Sequence, residues 1–246
     1  MKSAFYFIKQ KLTETIEQIL PAQCLLCGLQ SNNKLICNHC QKAMLQPRTC
    51  CQYCGLSLLT TQPFCGDCLT HEHLFTQLHA LSSYQAPYPK LIKQLKYSHQ
   101  LIAGELLGQL LALSIASHFS KQQIARINYL IAVPLHPKKL RQRGFNQAQL
   151  IAKVVSTHLN ITLLTGAIER KKETQAQEGL SIAKRRKNLR AAFAVTKNTH
   201  LQGKHIAIVD DVVTTGATIN SLCQCLQAQK VASISVFCIC RTDVRK

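Results

Sequence analysis

Residues 210–218 run Asp-Asp-Val-Val-Thr-Thr-Gly-Ala-Thr, which places two carboxylates, three hydroxyls and a glycine on one short stretch. The backbone N–H groups and hydroxyls of Thr214, Thr215, Gly216, Ala217 and Thr218 suit an anion. Gly216 lets the chain approach it closely, and a helix starting at Thr218 would add its positive N-terminal end. Asp210 and Asp211 would repel a phosphate but can accept hydrogen bonds from vicinal sugar hydroxyls. With Val212 and Val213 between the two ends, residues 210–218 have the chemistry of a phosphorylated-sugar site.

A second constellation lies upstream. The cysteines pair as Cys24-x-x-Cys27, Cys37-x-x-Cys40, Cys51-x-x-Cys54 and Cys65-x-x-Cys68. A two-residue gap lets both thiolates face one ion, and four thiolates around Zn2+ close a structural site with no open catalytic position. The expectation is two structural Zn2+. Sequential pairing is the simplest arrangement, and an interleaved one fits the same spacing. Cys50 and His39 are expected to stay outside the ligand sets, and Cys223, Cys225, Cys238 and Cys240 to lie in the core.

The third feature is charge. The chain has 246 residues and a formal net charge of +19, which eight thiolates and two Zn2+ would lower by four. Such an excess points to polyanionic partners. Residues 138–190 hold 13 Lys and Arg against 3 Glu. Lys138, Lys139, Arg141 and Arg143 follow a strand end as a basic loop, of which Lys138, Arg141 and Arg143 could meet a diphosphate. With Arg170, Lys171, Lys172, Lys184, Arg185, Arg186, Lys187 and Arg190 they form a candidate nucleic-acid surface. Binding would be dominated by the phosphate backbone and sensitive to salt. Aromatics for stacking are sparse; Phe145 and Phe193 are the nearest.

These residues need a scaffold. Residues 1–23 are expected as an amphipathic helix, with Phe5, Ile8, Leu12, Ile16, Ile19 and Leu20 at helical spacing and Pro21 as its stop. Residues 24–70 form a loop-rich double zinc ribbon. Residues 78–246 alternate strands (78–84, 129–133, 191–195, 206–209, 234–240) with helices (90–97, 101–119, 218–228). This predicts an α/β fold with a mostly parallel sheet covered by helices on both faces. Charges scattered through the first twenty residues argue against a signal peptide. The apolar stretch 106–117 is shorter than a membrane span. The expected location is cytoplasmic, with a peripheral membrane position left open.

The run from Ile206 to Thr218 resembles the signature of type I phosphoribosyltransferases. Val133-Pro-Leu-His-Pro-Lys-Lys-Leu-Arg-Gln-Arg-Gly-Phe-Asn-Gln147 resembles a block of the ComF family, the competence-associated relatives of those enzymes. Leu91–Tyr97, Gln177–Phe193 and the cysteine pairs resemble the same family. The resemblance implies phosphoribosyl diphosphate with Mg2+ at residues 210–218, pyrophosphate at the basic loop, and a role on single-stranded DNA during natural transformation. Two alternatives stand beside it. One is an active phosphoribosyltransferase, with Asp210 and Asp211 as candidate catalytic residues. The other is a zinc-ribbon adaptor for a helicase or inner-membrane DNA channel.

Overall fold

The computed structural model describes residues 22–31, 34–171, 192–196 and 199–242. The expected helix of residues 1–20 and the basic run 184–190 lie outside them. The chain divides into two compact units, residues 1–47 and 48–246.

The first unit is held by local bonds. Cys24 N–H donates to Leu29 O at 2.7 Å and Leu25 N–H to Leu35 O at 3.0 Å. Ser31 Oγ donates to Ala22 O and Lys34 O at 2.9 and 2.6 Å. One short helix, α1 (Asn38–Met44), closes it.

The second unit is built on five parallel strands: β1 (Gln77–Ser83), β2 (Tyr129–Ala132), β3 (Thr162–Leu163), β6 (His205–Val213) and β7 (Ser233–Arg241). Their spatial order is β1-β7-β6-β2-β3. Strands β4 (Ile168–Arg170) and β5 (Phe193–Val195) make a separate antiparallel pair. Parallel strands need both faces covered, so their interiors are apolar runs: Ile206, Ala207, Ile208 and Val209 on β6, and Val236, Phe237, Cys238, Ile239 and Cys240 on β7, are all at most 1% exposed. Cys223, Cys238 and Cys240 are core residues, as expected, and Cys225 is half-buried.

The helices of this unit are α2 (Gly66–Thr70), α3 (Tyr88–Tyr97), α4 (Leu101–His118), α5 (Lys121–Ala125), α6 (Pro137–Arg143), α7 (Gln147–Leu159) and α8 (Ala217–Gln227). Helix α4, which extends the apolar run 106–117 at both ends, is long and apolar enough to cross a membrane by length and composition alone. Here it packs as a core helix, with Leu106, Leu107, Leu110, Leu111 and Ile115 buried. Gly108 lets it approach α7 so closely that an added Cβ would stand 2.6 Å from Val154 Cβ. Helix α7 was not expected as an element, although Ala148, Ile151, Ala152 and Val155 mark its buried face.

Two further differences bear on the site. Strand β6 runs past Val209 to Val213, because β7 pairs with it as far as Val213 opposite Arg241. The acids therefore sit on a strand rather than in a turn. The expected basic loop is helix α6. His136 caps it by accepting from Lys138 N–H at 3.3 Å, Pro137 occupies its first turn, and Gly144 ends it. Proline there costs nothing, because that N–H has no intrahelical partner.

Candidate functional site

The cysteines gather sequentially: Cys24, Cys27, Cys37 and Cys40 in the first unit, and Cys51, Cys54, Cys65 and Cys68 in the second. Within each set the sulfurs lie within 4.8 Å of one another. A tetrahedral ZnS4 centre with Zn–S of about 2.3 Å needs sulfurs ~3.8 Å apart. Cys27 and Cys37 Sγ are 3.8 Å apart, and Cys54 and Cys65 Sγ 3.6 Å. The residues fit the metal.

Both sites use one local design. The N–H of the glycine after each first pair, Gly28 or Gly55, donates to the carbonyl of Cys24 or Cys51 at 2.9 Å. These glycines take φ of +73° and +67°, a conformation costly for a side-chain-bearing residue. The third cysteine of each set precedes a short helix, Cys37 before α1 and Cys65 before α2. Burial and the neighbouring thiols push Cys40 up to about 12, and burial does the same to Cys54. Burial also opposes ionisation of Cys51, but the N–H groups of Cys54, Cys65 and Tyr53 outweigh it and bring that thiol down to about 7. A dication removes this conflict by holding all four thiolates at once. His73, stacked on Phe75, places Nε2 3.1 Å from Cys68 Sγ, an outer-shell contact that the cysteine spacing does not reveal.

The second cluster is bound to the sheet. Three successive carbonyls of its first knuckle are taken by three donors: Tyr53 O by Leu78 N–H at 2.8 Å, Cys54 O by Arg241 Nε at 3.2 Å, and Gly55 O by Arg48 Nη2 at 3.1 Å. The Arg48 guanidinium also donates to Ala80 O on β1 and to Ser57 Oγ.

The phosphate-type turn follows β6, the middle strand of the sheet, at its carboxyl edge, where ligands bind in open α/β folds. Gly216 caps α8 in the left-handed region at φ +76°, and an added Cβ would meet nothing within 4 Å. Thr214 and Thr215 are exposed, and Thr215 Oγ1 accepts from Ala217 N–H at 3.4 Å. The turn is open at a helix N-terminus.

Asp210 and Asp211 are neighbours on β6, and their carboxyls lie close enough to interact. Asp211, 9% exposed, forms an ion pair with Lys96 of α3. Asp210 Oδ1 accepts from Asp211 N–H at 2.9 Å. Burial, and then the neighbouring Asp211 charge, push the Asp210 carboxyl well above the ordinary carboxylate range. Arg170 is half-buried on β4, with its guanidinium over Phe193 at 5.5 Å; burial lowers its pKa, and the Asp210 charge partly opposes this. It is thus part of a packed contact, and Phe193 is buried.

Of the other predicted basic residues, Lys138, Lys139, Arg141 and Arg143 lie together on α6, and Lys171 is exposed after β4. Residues Lys172, Lys184, Arg185, Arg186, Lys187 and Arg190 lie outside the described residues. The structure adds α3, which sequence reasoning had not placed at the site. Lys96 reaches the sugar-type acids, while Tyr97 carries Arg143 over its ring at 5.6 Å. The same helix exposes Lys90, Lys93 and the 69% exposed Tyr97 along a groove. These positions follow i, i+3, i+7, which is one helix face.

Comparison with known proteins agrees with this geometry. Residues 143–246 match the phosphoribosyl transferase domain and residues 15–69 the double zinc ribbon domain. The chain is similar to "DNA utilization protein YhgH" of Escherichia coli O157:H7, 34% identical over 91% of this chain and 98% of that one. It is also similar to "Competence protein F" of Haemophilus influenzae, 33% identical over 89% and 96%. Among solved structures, a hypoxanthine phosphoribosyltransferase from Staphylococcus aureus aligns with a TM-score of 0.37 and 12% identity, over 56% of this chain and 64% of that one. Shared identity along nearly the whole length of competence protein F, ribbons and sheet alike, makes this chain a member of the ComF family of competence and DNA-utilization proteins.

Proposed function

We propose that this protein handles single-stranded DNA on the cytoplasmic side of DNA uptake and binds phosphoribosyl diphosphate with Mg2+ at residues 210–218. The observation that carries the reading is the open turn at Gly216, with two acids behind it and the basic helix α6 on the neighbouring strand.

In this reading the N–H groups of Thr215, Gly216 and Ala217 and the start of α8 take the 5-phosphate. Asp210 and Asp211 accept from the ribose hydroxyls, so the sugar competes with Lys96 for Asp211. Lys138, Arg141 and Arg143 meet the diphosphate, with Gln147 bracing Arg143 at 3.2 Å. Mg2+, held largely by diphosphate oxygens and water, would neutralise the charge gathered there. Single-stranded DNA follows the basic side chains of α6 and the exposed face of α3, where Tyr97 offers a ring for base stacking. The names of the relatives support a role in DNA use or competence.

Titration of the zinc-loaded chain with phosphoribosyl diphosphate, with and without Mg2+, and with a single-stranded oligonucleotide at several salt concentrations tests both halves. We expect saturable ligand binding that needs Asp210 and Asp211, and DNA binding that weakens steeply with salt. No binding of phosphoribosyl diphosphate, or DNA affinity indifferent to salt, would overturn the corresponding half. Release of pyrophosphate on adding a base would instead establish a working transferase.

A further inference from the structure

Arg241, the last residue of β7, belongs to no motif, yet its side chain joins two sites. Nε donates to the carbonyl of Cys54, a ligand in the second cluster, at 3.2 Å. Nη1 reaches Val213 O at 3.3 Å, Thr242 O at 3.1 Å and Thr214 O. The last two residues of the β6–turn junction are therefore held by the same guanidinium that holds the zinc knuckle.

From this geometry we infer that Arg241 is a positioning residue that makes phosphoribosyl-diphosphate binding depend on zinc in the second cluster and not in the first. The inference rests on the ligand reading proposed above.

The physical reason is the planarity of the peptide. In a trans peptide the C=O and the following N–H point in opposite directions. Holding Thr214 C=O on Arg241 turns Thr215 N–H away from the guanidinium and fixes its direction at the mouth of the turn. Thr214 and Thr215 are exposed, so little packing of their own sets that direction. Arg241 can do this only while its other arm is anchored. The Cys54 carbonyl stands where it does because Cys51 and Cys54 share one metal and because Leu78 N–H and Arg48 clamp the carbonyls on either side. Loss of zinc removes what holds the four sulfurs together and relaxes the knuckle, and the anchor goes with it. The rigid fork of arginine spans both sites, whereas lysine is a single point donor. The first cluster lies in the other compact unit.

Two measurements on the full-length, zinc-loaded protein test this. The first is the calorimetric affinity for phosphoribosyl diphosphate with Mg2+ in the wild type, in Arg241→Gln and Arg241→Lys, and in Cys65→Ser (second cluster) and Cys27→Ser (first cluster). Zinc content and thermal melting are followed in parallel. We expect about tenfold weaker binding for Arg241→Gln with both zinc ions retained, a smaller loss for Arg241→Lys, and a loss of tenfold or more for Cys65→Ser. Cys27→Ser should bind within twofold of the wild type. The second measurement needs no variant: zinc release to a colorimetric chelator, with and without saturating ligand. Coupling is reciprocal, so the ligand should slow release of one zinc equivalent at least severalfold and leave the other unchanged.

Unchanged affinity in Arg241→Gln, equal losses from the two cysteine variants, or release of both zinc ions at rates indifferent to ligand would overturn the inference alone. A wild type that binds no phosphoribosyl diphosphate overturns the underlying reading, and the inference with it.

Discussion

Replacing Gly216 with alanine separates the ligand reading from ordinary backbone strain. Gly216 sits at φ +76°, and the new Cβ would meet no protein atom within 4 Å. The only cost to the fold is the left-handed conformation of a residue with a Cβ, about 1–2 kcal/mol. For a domain of this size, that lowers the melting temperature by about 2–4 °C per kcal/mol. The cost to the ligand is different in kind. In the proposed reading, the methyl group would enter the open space where the phosphate lies against the N–H groups of 215–217, and each hydrogen bond to a charged group is worth about 1.5–3 kcal/mol. Losing one of them predicts roughly 10-fold to 150-fold weaker binding. Gly203 provides the matched control. It has φ +68° and equally open space, but it lies in the turn before β6, at the other end of that strand. Gly203→Ala should lose as much thermal stability as Gly216→Ala and no affinity. Differential scanning fluorimetry and calorimetry with phosphoribosyl diphosphate on both variants decide it. Equal affinity in the two variants would refute the phosphate cradle, whichever way their stabilities fall.

Three further outcomes follow from the same geometry. Asp210→Asn should abolish ligand binding while stabilising the fold. The raised pKa of Asp210 means its favourable protonated form is complete below the unfolded carboxylate pKa and is lost as pH rises through the higher folded value. The variant should therefore melt near the wild-type temperature at pH 3.5 and above it, by about 1 kcal/mol or 2–4 °C, at neutral pH; no gain at neutral pH contradicts this. Gly108→Ala should cost about 1–3 kcal/mol by overpacking, because its Cβ would sit 2.6 Å from Val154 Cβ and 3.2 Å from Ile151 O; urea melts that match the wild type would show that α4 and α7 do not meet this way. The double change Lys90→Glu/Lys93→Glu should weaken binding to single strands. It should also lower the slope of log affinity against log salt by about 1.4, at ~0.7 per phosphate contact, with phosphoribosyl diphosphate affinity intact; an unchanged slope would remove α3 from the DNA path.

What the sequence revealed and what it hid divide by distance along the chain. The zinc ligands lie within 17 residues of one another in each set, and the turn at 214–218 is continuous, so residue type and spacing suffice to find both. The sequential grouping of the cysteines agrees with the geometry for that reason. The basic stretch 138–143 reads as a loop in the sequence because its charges mask the ordinary helix signals, His136 as cap, Pro137 in the first turn and Gly144 at the end. Strand β6 was read too short because two adjacent carboxylates look like a turn until a neighbouring strand supplies hydrogen bonds as far as Val213.

The unseen contacts are long-range. Arg241 meets Cys54 across 187 residues and Arg48 meets Ala80 across 32; neither arginine lies in a motif. Their placement nevertheless has a physical logic. The zinc knuckle packs its own apolar cluster of Leu56, Leu58 and Phe64, but its turn carbonyls have no ladder partners and need donors from outside. Arginine is suited to that task, because its several N–H groups diverge and can satisfy carbonyls of two segments at once. At Arg48 the two segments are the knuckle and the edge strand, and the result is anchorage. At Arg241 the second segment is the turn that carries the ligand chemistry. The same type of contact there ties the geometry of the proposed ligand turn to that of a metal site, although the two share no residue.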